Sequence, residues 1–258
     1  MDVILNINNL TYLNIFENLS IYLEKNKIIT ISGPNNCGKT TLFKILCKKI
    51  KGNFNIILNS KGIYEFSDKE YDDNIQVVYQ DEKIISNNTV KELIDIQQER
   101  YDKEKVDFLV KGLKLKKVLN KKIYELSDKE NFMFRIAFSI LNSKCLVLID
   151  DIDQYLYQYE VAELYSFFRE CTNKYNLTFI LTCIELDSAI YSDELYIIND
   201  KKITLKGDPL YVLSKDNILN KIGLEVPFII DLSVKLRDYE LIDKIPLDQG
   251  ELINKLWK

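Results

Sequence analysis

Gly33-Pro34-Asn35-Asn36-Cys37-Gly38-Lys39-Thr40-Thr41 decides the fold of this 258-residue chain. The stretch fits G-x-x-x-x-G-K-[ST]. It follows an apolar run, Ile28 to Ser32, and precedes Leu42, Phe43 and Leu46 at helical spacing. Strand, small-residue loop and helix in that order make a phosphate-binding loop. Small residues let backbone N–H groups turn toward a β-phosphate, Lys39 neutralises β and γ oxygens, and the Thr40 hydroxyl is a Mg²⁺ ligand. Gly33, Asn35, Asn36, Cys37, Gly38, Lys39, Thr40 and Thr41 are therefore the expected nucleotide-binding residues. The helix that opens here adds the positive end of its dipole.

Working outward from the loop, Val3 to Ile7 and Leu19, Ile21, Leu23 alternate apolar and polar, as half-buried strands do. The helix after the loop is expected to end near Gly52. Strands follow over Phe54 to Leu58 and Ile75 to Tyr79, the second running into Gln80. Thr89-Val90-Lys91-Glu92 has the form of a capping box and opens a charged helical insertion reaching about Leu119. Leu126-Ser127-Asp128-Lys129-Glu130 opens another helix in the same way. Cys145 to Ile149 reads as a buried strand ending in Asp150-Asp151, followed by a helix from about Gln154 and a strand over Leu177 to Thr182. A hairpin over residues 197–205 and a mostly helical tail from Asp208-Pro209 complete the chain. Strands alternating with helices predict an α/β core with a parallel sheet.

Composition excludes several function classes. The chain is 47% hydrophobic with a net charge of −4 and no basic stripe interleaved with aromatics, so no nucleic-acid partner is expected. The longest apolar runs fall far short of a bilayer span, and the alternating N-terminal pattern lacks the layout of a secretion signal. Five cysteines without a C-x-x-C pair read as reduced residues of the cytosol. The chain contains no histidine, which removes histidine acid–base chemistry and histidine metal sites.

The phosphate loop, Gln80 at a strand end, Leu126-Ser127 opening a helix, and the strand into Asp150-Asp151 stand in an order that resembles the ATP-binding cassette (ABC) ATPases. The resemblance implies a P-loop NTPase core with an antiparallel β subdomain over 1–84 and 131–207. It also implies a helical, signature-bearing subdomain over 85–130 and a C-terminal helical extension over 208–258. It implies ATP and Mg²⁺ as ligands, with Thr40, Gln80 and Asp150 around the metal. Asp151 is then the catalytic carboxylate that polarises water, assisted by Gln80. Tyr12 is either the aromatic that stacks on adenine or a strand tyrosine packed on the core. Lys206-Gly207-Asp208-Pro209-Leu210-Tyr211-Val212-Leu213 and Gly223-Leu224-Glu225-Val226-Pro227-Phe228, with Leu232 and Leu236 behind them, are similar to the ATPase subunits of energy-coupling-factor (ECF) transporters. That similarity implies a peripheral protein on the cytoplasmic face of the cell membrane. Its expected partners are a second ABC ATPase subunit, a paralogue or itself, and integral membrane subunits importing a vitamin or transition metal.

The chain departs from the family pattern at four places. In the Leu-Ser-Gly-Gly-Gln signature, which closes on a partner's γ-phosphate, Leu126 and Ser127 remain but Asp128, Lys129 and Glu130 replace the rest. The catalytic Glu is the shorter Asp151, a displacement on the order of 1 Å that can slow a geometry-limited step about a hundredfold. The switch histidine aligns with Cys183, which supplies no cationic donor. Gln154-Tyr155-Leu156-Tyr157 stands where the D-loop would carry an aspartate. These losses imply a weak ATPase alone, the degenerate half of a heterodimer. Two other readings are a catalytically silent ATP-binding regulatory or structural module and a soluble ABC ATPase outside transport.

Overall fold

The computed structural model describes residues 2–98, 102–246 and 249–256. Strands β1 (Val3–Tyr12) and β2 (Phe16–Glu24) pair antiparallel. Strand β3 (Ile28–Ser32) buries all five residues and leads through the phosphate loop into α1 (Lys39–Leu46). Short strands β4 (Asn55–Leu58) and β5 (Lys61–Gly62), helix α2 (Asp68–Asn74) and strand β6 (Ile75–Val78) follow. Helices α3 (Val90–Gln98), α4 (Lys103–Gly112) and α5 (Asp128–Asn142) form the helical middle of the chain. Strand β7 (Leu146–Ile149), helix α6 (Gln158–Tyr175) and strand β8 (Thr178–Thr182) return to the sheet, and β9 (Glu194–Asn199) and β10 (Lys202–Gly207) make its terminal hairpin. Helices α7 (Pro209–Leu213), α8 (Asp216–Lys221), α9 (Phe228–Asp238) and α10 (Gln249–Leu256) form the tail.

Two sheets result. An antiparallel sheet runs β2-β1-β4-β5, and a six-stranded sheet runs β10-β9-β3-β8-β7-β6, parallel throughout except for β10. Because side chains alternate across a strand, each central strand feeds two cores. Leu146 and Leu148 of β7 join Ile29, Ile31, Ile180 and α1 beneath the antiparallel sheet. Val147 and Ile149 join Phe179, Leu181, α5 and α6 on the other face. There Phe168 and Phe179 stack with ring centres 4.4 Å apart, and truncating either to alanine would cost about 3–5 kcal/mol. Buried on both faces, β3 ends directly under the phosphate loop, which is why that loop is rigidly placed. No helix among the described residues is long and apolar enough to cross a membrane.

The capping boxes form as their spacing predicts. Glu92 and Thr89 exchange backbone-to-side-chain hydrogen bonds of 2.7 and 3.1 Å, and Asp208 accepts from Leu210 and Tyr211 N–H ahead of Pro209 at the first helical position. Two helix boundaries differ from expectation, and one helix was not expected. Helix α1 stops at Leu46, not near Gly52, because Lys48 turns into the left-handed region and the Lys49 and Ile50 N–H groups both return to the Lys44 carbonyl. Helix α6 begins at Gln158, not Gln154, since Tyr157 N–H bonds the Glu160 carboxylate while 152–156 form a separate turn. Helix α2 has no apolar stripe to announce it; Ser67 caps it and Tyr71 is its buried anchor. In α9 the buried face is Ile230, Ser233 and Val234, with Leu232 and Leu236 half-buried. Parts of the expected insertion (99–101) and tail (247, 248, 257, 258), and residue 1, lie outside the described residues.

Candidate functional site

The phosphate loop wraps the N-terminus of α1. Gly38 is the N-cap with φ +106°, and a Cβ there would meet the Ile15 side chain at 2.6 Å. At Gly33 a Cβ would approach the Ile198 carbonyl oxygen to 2.2 Å. Glycine is thus required at both ends of the loop by close approach. Helix α1 carries no side-chain cap and no acidic residue in its first turn, so its leading N–H groups face outward unneutralised. They open on a cleft of about 540 Å³ lined by Ile15, residues 35–41 and Asp151. Lys39 Nζ donates to the Gly33 carbonyl at 3.0 Å, folded across the loop it serves.

Beneath the loop, Thr40 Oγ1 donates to Asp150 Oδ2 at 2.8 Å. Asp150 is 1% exposed at the end of β7. A hydroxyl and a carboxylate this close are hard oxygen donors, the set that suits Mg²⁺ when phosphates and waters complete the shell. Among the described residues no group of three or more His, Cys, Asp or Glu assembles. Asp151 follows at φ +49°, an uncommon conformation for a non-glycine residue, and its carboxylate lines the cleft. Burial, and next the neighbouring Asp150 charge, raise its carboxyl above the ordinary aspartate value, with Lys39 opposing.

Other expected site residues lie elsewhere. Cys183 is fully buried in the core that holds Phe179 and Leu181, and its thiol is pushed far up, first by burial and then by Asp153. It does not line the cleft. Tyr12 packs edge-on to Phe54 with ring centres 6.0 Å apart, and the side chain that borders the cleft from this region is Ile15. Ile15 sits in the β1–β2 turn, where no sequence pattern marks it. Gln80 is half-buried just after β6 and is not part of the lining; its loop is pinned by Arg135 to the Tyr79 carbonyl and by Asn131 to the Ile84 carbonyl. Asp153, also unmarked by any motif, accepts from Ile184 and Glu185 N–H and from Ser188 Oγ, so it ties the turn after Asp151 to the turn after β8.

At the start of α5 every altered signature residue is spoken for inside the chain. Ser127 Oγ accepts from Glu130 N–H at 3.3 Å and Glu130 accepts from Ser127 N–H at 2.9 Å. Asp128 pairs with Lys83, Lys129 with Glu160 and Glu130 with Lys121. Ser127 borders a separate, mainly apolar cavity of about 340 Å³ between α4, α5 and α6.

Comparison with known proteins places this arrangement. The family profile described as "ABC transporter" matches residues 16–154, over half of the chain and the whole span from the cleft to Asp153. The chain belongs to the ABC transporter family. The family is one of ATP hydrolases, and this chain has their P-loop architecture. It is 26% identical over 268 aligned positions to the energy-coupling factor transporter ATP-binding protein EcfA1 of Mesomycoplasma hyopneumoniae (strain 7448), covering 97% of this chain and 93% of that protein. It is 24% identical to the petrobactin import ATP-binding protein FpuC of Bacillus anthracis, covering 81% and 82%. Among solved structures, cbiO1 of Clostridium perfringens, described as part of the ABC transporter complex cbiONQ, shares the fold at 20% identity. Its TM-score is 0.73, with 90% of this chain and 99% of that chain covered. A nucleotide-free ATP-binding cassette from an ABC transporter matches at 22% identity and a TM-score of 0.70, covering 86% and 99%.

Proposed function

We propose that this ABC ATPase is the ATP-binding subunit of an ECF-type importer, working at the cytoplasmic face of a membrane with integral membrane subunits and a second ABC ATPase. The observation that carries the reading is similarity to an ECF subunit running through nearly the full length of both chains, tail included. In this reading 1–84 and 131–207 form the nucleotide core, 85–130 the part that moves against it, and 208–258 the extension toward the partner.

The chemistry is divided unevenly. Residues 35–41 hold the phosphates, Lys39 offsets their charge, and Thr40, Gln80 and Asp150 are the metal-side residues. A Mg²⁺ ion held by these residues would supply positive charge against the charge that develops on the transferred phosphate. Asp151 orients the attacking water from the cleft wall. Catalysis of this kind is mainly positioning and charge stabilisation, so the short Asp151 and the buried Cys183 lower the rate without removing binding. Ser127 and its altered neighbours contribute little to a partner's site. The chain is therefore the weaker half of a heterodimer, coupling ATP binding and slow hydrolysis to uptake of a vitamin or transition metal.

Burial of Cys183 favours a second reading, a silent ATP-binding module in which nucleotide holds the assembly together. Detergent-extract pull-down followed by turnover assays separates the two. The importer reading expects a polytopic membrane protein and an ABC paralogue to co-purify, with ATP turnover that falls on Asp151→Asn. Turnover indifferent to Asp151→Asn supports the silent module, and absence of any membrane protein from the pull-down overturns the importer.

A further inference from the structure

We propose that Thr182, a residue outside every family motif discussed above, is the positioning residue that fixes the Asp150–Asp151 carboxylate pair; the inference rests on the reading of that pair as the metal- and water-side groups of an ATP site. Thr182 ends β8 and is fully buried. Its hydroxyl lies 2.8 Å from Asp150 Oδ1 and 3.1 Å from Asp151 Oδ1, and it accepts the Asp151 N–H at 2.7 Å. Its carbonyl accepts the Ile152 N–H at 3.0 Å. One residue thus grips three consecutive residues of the opposite turn through side chain and backbone together.

The division of oxygens is the functional point. Asp150 uses Oδ1 toward Thr182 and Oδ2 toward Thr40. With Oδ1 held from below, Oδ2 is the oxygen turned to the phosphate loop and available to a cation. A ligating carboxylate whose far oxygen is hydrogen-bonded is held in orientation, and loss of such an outer partner typically costs about 10–100-fold in metal affinity. The same hydroxyl, by accepting the Asp151 N–H, supports the left-handed backbone that aims the Asp151 carboxylate at the cleft. Strand β8 pairs with β3 in the register Ile31↔Thr182, so Thr182 is itself anchored to the strand that launches the phosphate loop.

The variants are Thr182→Val, which keeps the shape and removes the hydroxyl, Thr182→Ala, which removes it without placing a methyl group against the carboxylates, and Thr182→Ser, which keeps it. The probe is Mn²⁺, followed by electron paramagnetic resonance with protein saturated by a non-hydrolysable ATP analogue, alongside metal-free nucleotide titration and steady-state turnover. Val and Ala are expected to weaken Mn²⁺ binding by about 10–100-fold, while Ser stays within roughly threefold of the parent. Metal-free nucleotide affinity is expected to be unchanged, and the turnover defect to appear in kcat with KM for ATP nearly constant. Folded Val and Ala variants with parental Mn²⁺ affinity overturn the assignment. Failure of both to fold while Ser folds also overturns it, because Thr182 would then serve stability. Absence of nucleotide binding by the parent in the metal-free titration is the separate result that brings down the ATP-site reading itself.

Discussion

Two helices of this chain begin at segments that the ABC family uses to hold phosphate, and they begin in opposite ways. Helix α1 starts from a glycine with no side-chain cap and no acid in its first turn, so its N–H groups and dipole end stay available to an anion. Helix α5 starts from a complete capping box with Asp128 and Glu130 in its first turn, so its N-terminus is already satisfied and neutralised by its own side chains. Side-chain capping and phosphate binding compete for the same donors. A helix start can therefore lose a ligand role through substitutions that make it a better helix start.

The largest effect expected from breaking this contrast is on the α1 side. Lys39→Ala should weaken ATP binding, measured by calorimetric titration, on the order of a hundredfold, because bonds to charged groups contribute about 1.5–3 kcal/mol each. Gly38→Ala should come next, destabilising the fold by about 1–3 kcal/mol through a strained positive φ and contact with Ile15, visible as a lowered thermal midpoint with ATP no longer stabilising it. Asp151→Asn tests the electrostatics of the cleft. The native Asp151 carboxyl is raised above 3.8, so the folded state holds its proton more tightly than the unfolded state and stability drops as pH rises through that window. The Asn variant lacks this penalty. Its thermal midpoint should exceed the parent's at neutral pH, and the difference should vanish below about pH 3.8.

On the α5 side the effects are smaller. Ser127→Ala should cost about 0.5–2 kcal/mol of stability in denaturant titrations by removing a cap, with ATP affinity of the isolated chain unchanged. Replacing Asp128 and Lys129 by glycine exchanges an exposed ion pair with Lys83 and a partly buried one with Glu160 for backbone freedom. It should alter stability least of all, while raising turnover when the chain is mixed with a partner that supplies ATP at its own phosphate loop.

How much of this was readable in advance follows the same contrast. The phosphate loop, the buried strands beside it and the Asp150-Asp151 strand end are local patterns, and each lies where its period and flanking residues place it. Helix α2 was not readable because seven mostly polar residues bury only Tyr71. Helix α6 starts four residues late because Asp153 is committed to the turn after β8, a contact made across 31 or more positions of sequence. Cys183 aligned with a site position, yet its side chain belongs to the core, a matter of which face of the chain it occupies. Thr182, one residue earlier, points the other way and meets both carboxylates. Alternation along a strand carries that information only once the sheet's two faces are known.

On the proposed reading, this chain binds nucleotide at its own phosphate loop while its own signature adds little to hydrolysis. The direct measurement is ATP turnover by the purified chain alone and after addition of an ABC subunit with an intact Leu-Ser-Gly-Gly-Gln signature, on samples whose ATP occupancy is measured in parallel. One ATP bound per chain, slow turnover alone, and a marked rise with the partner that Lys39→Ala in this chain reduces are the expected results. Rapid turnover by the chain alone that falls when Ser127 is replaced would contradict the proposed reading.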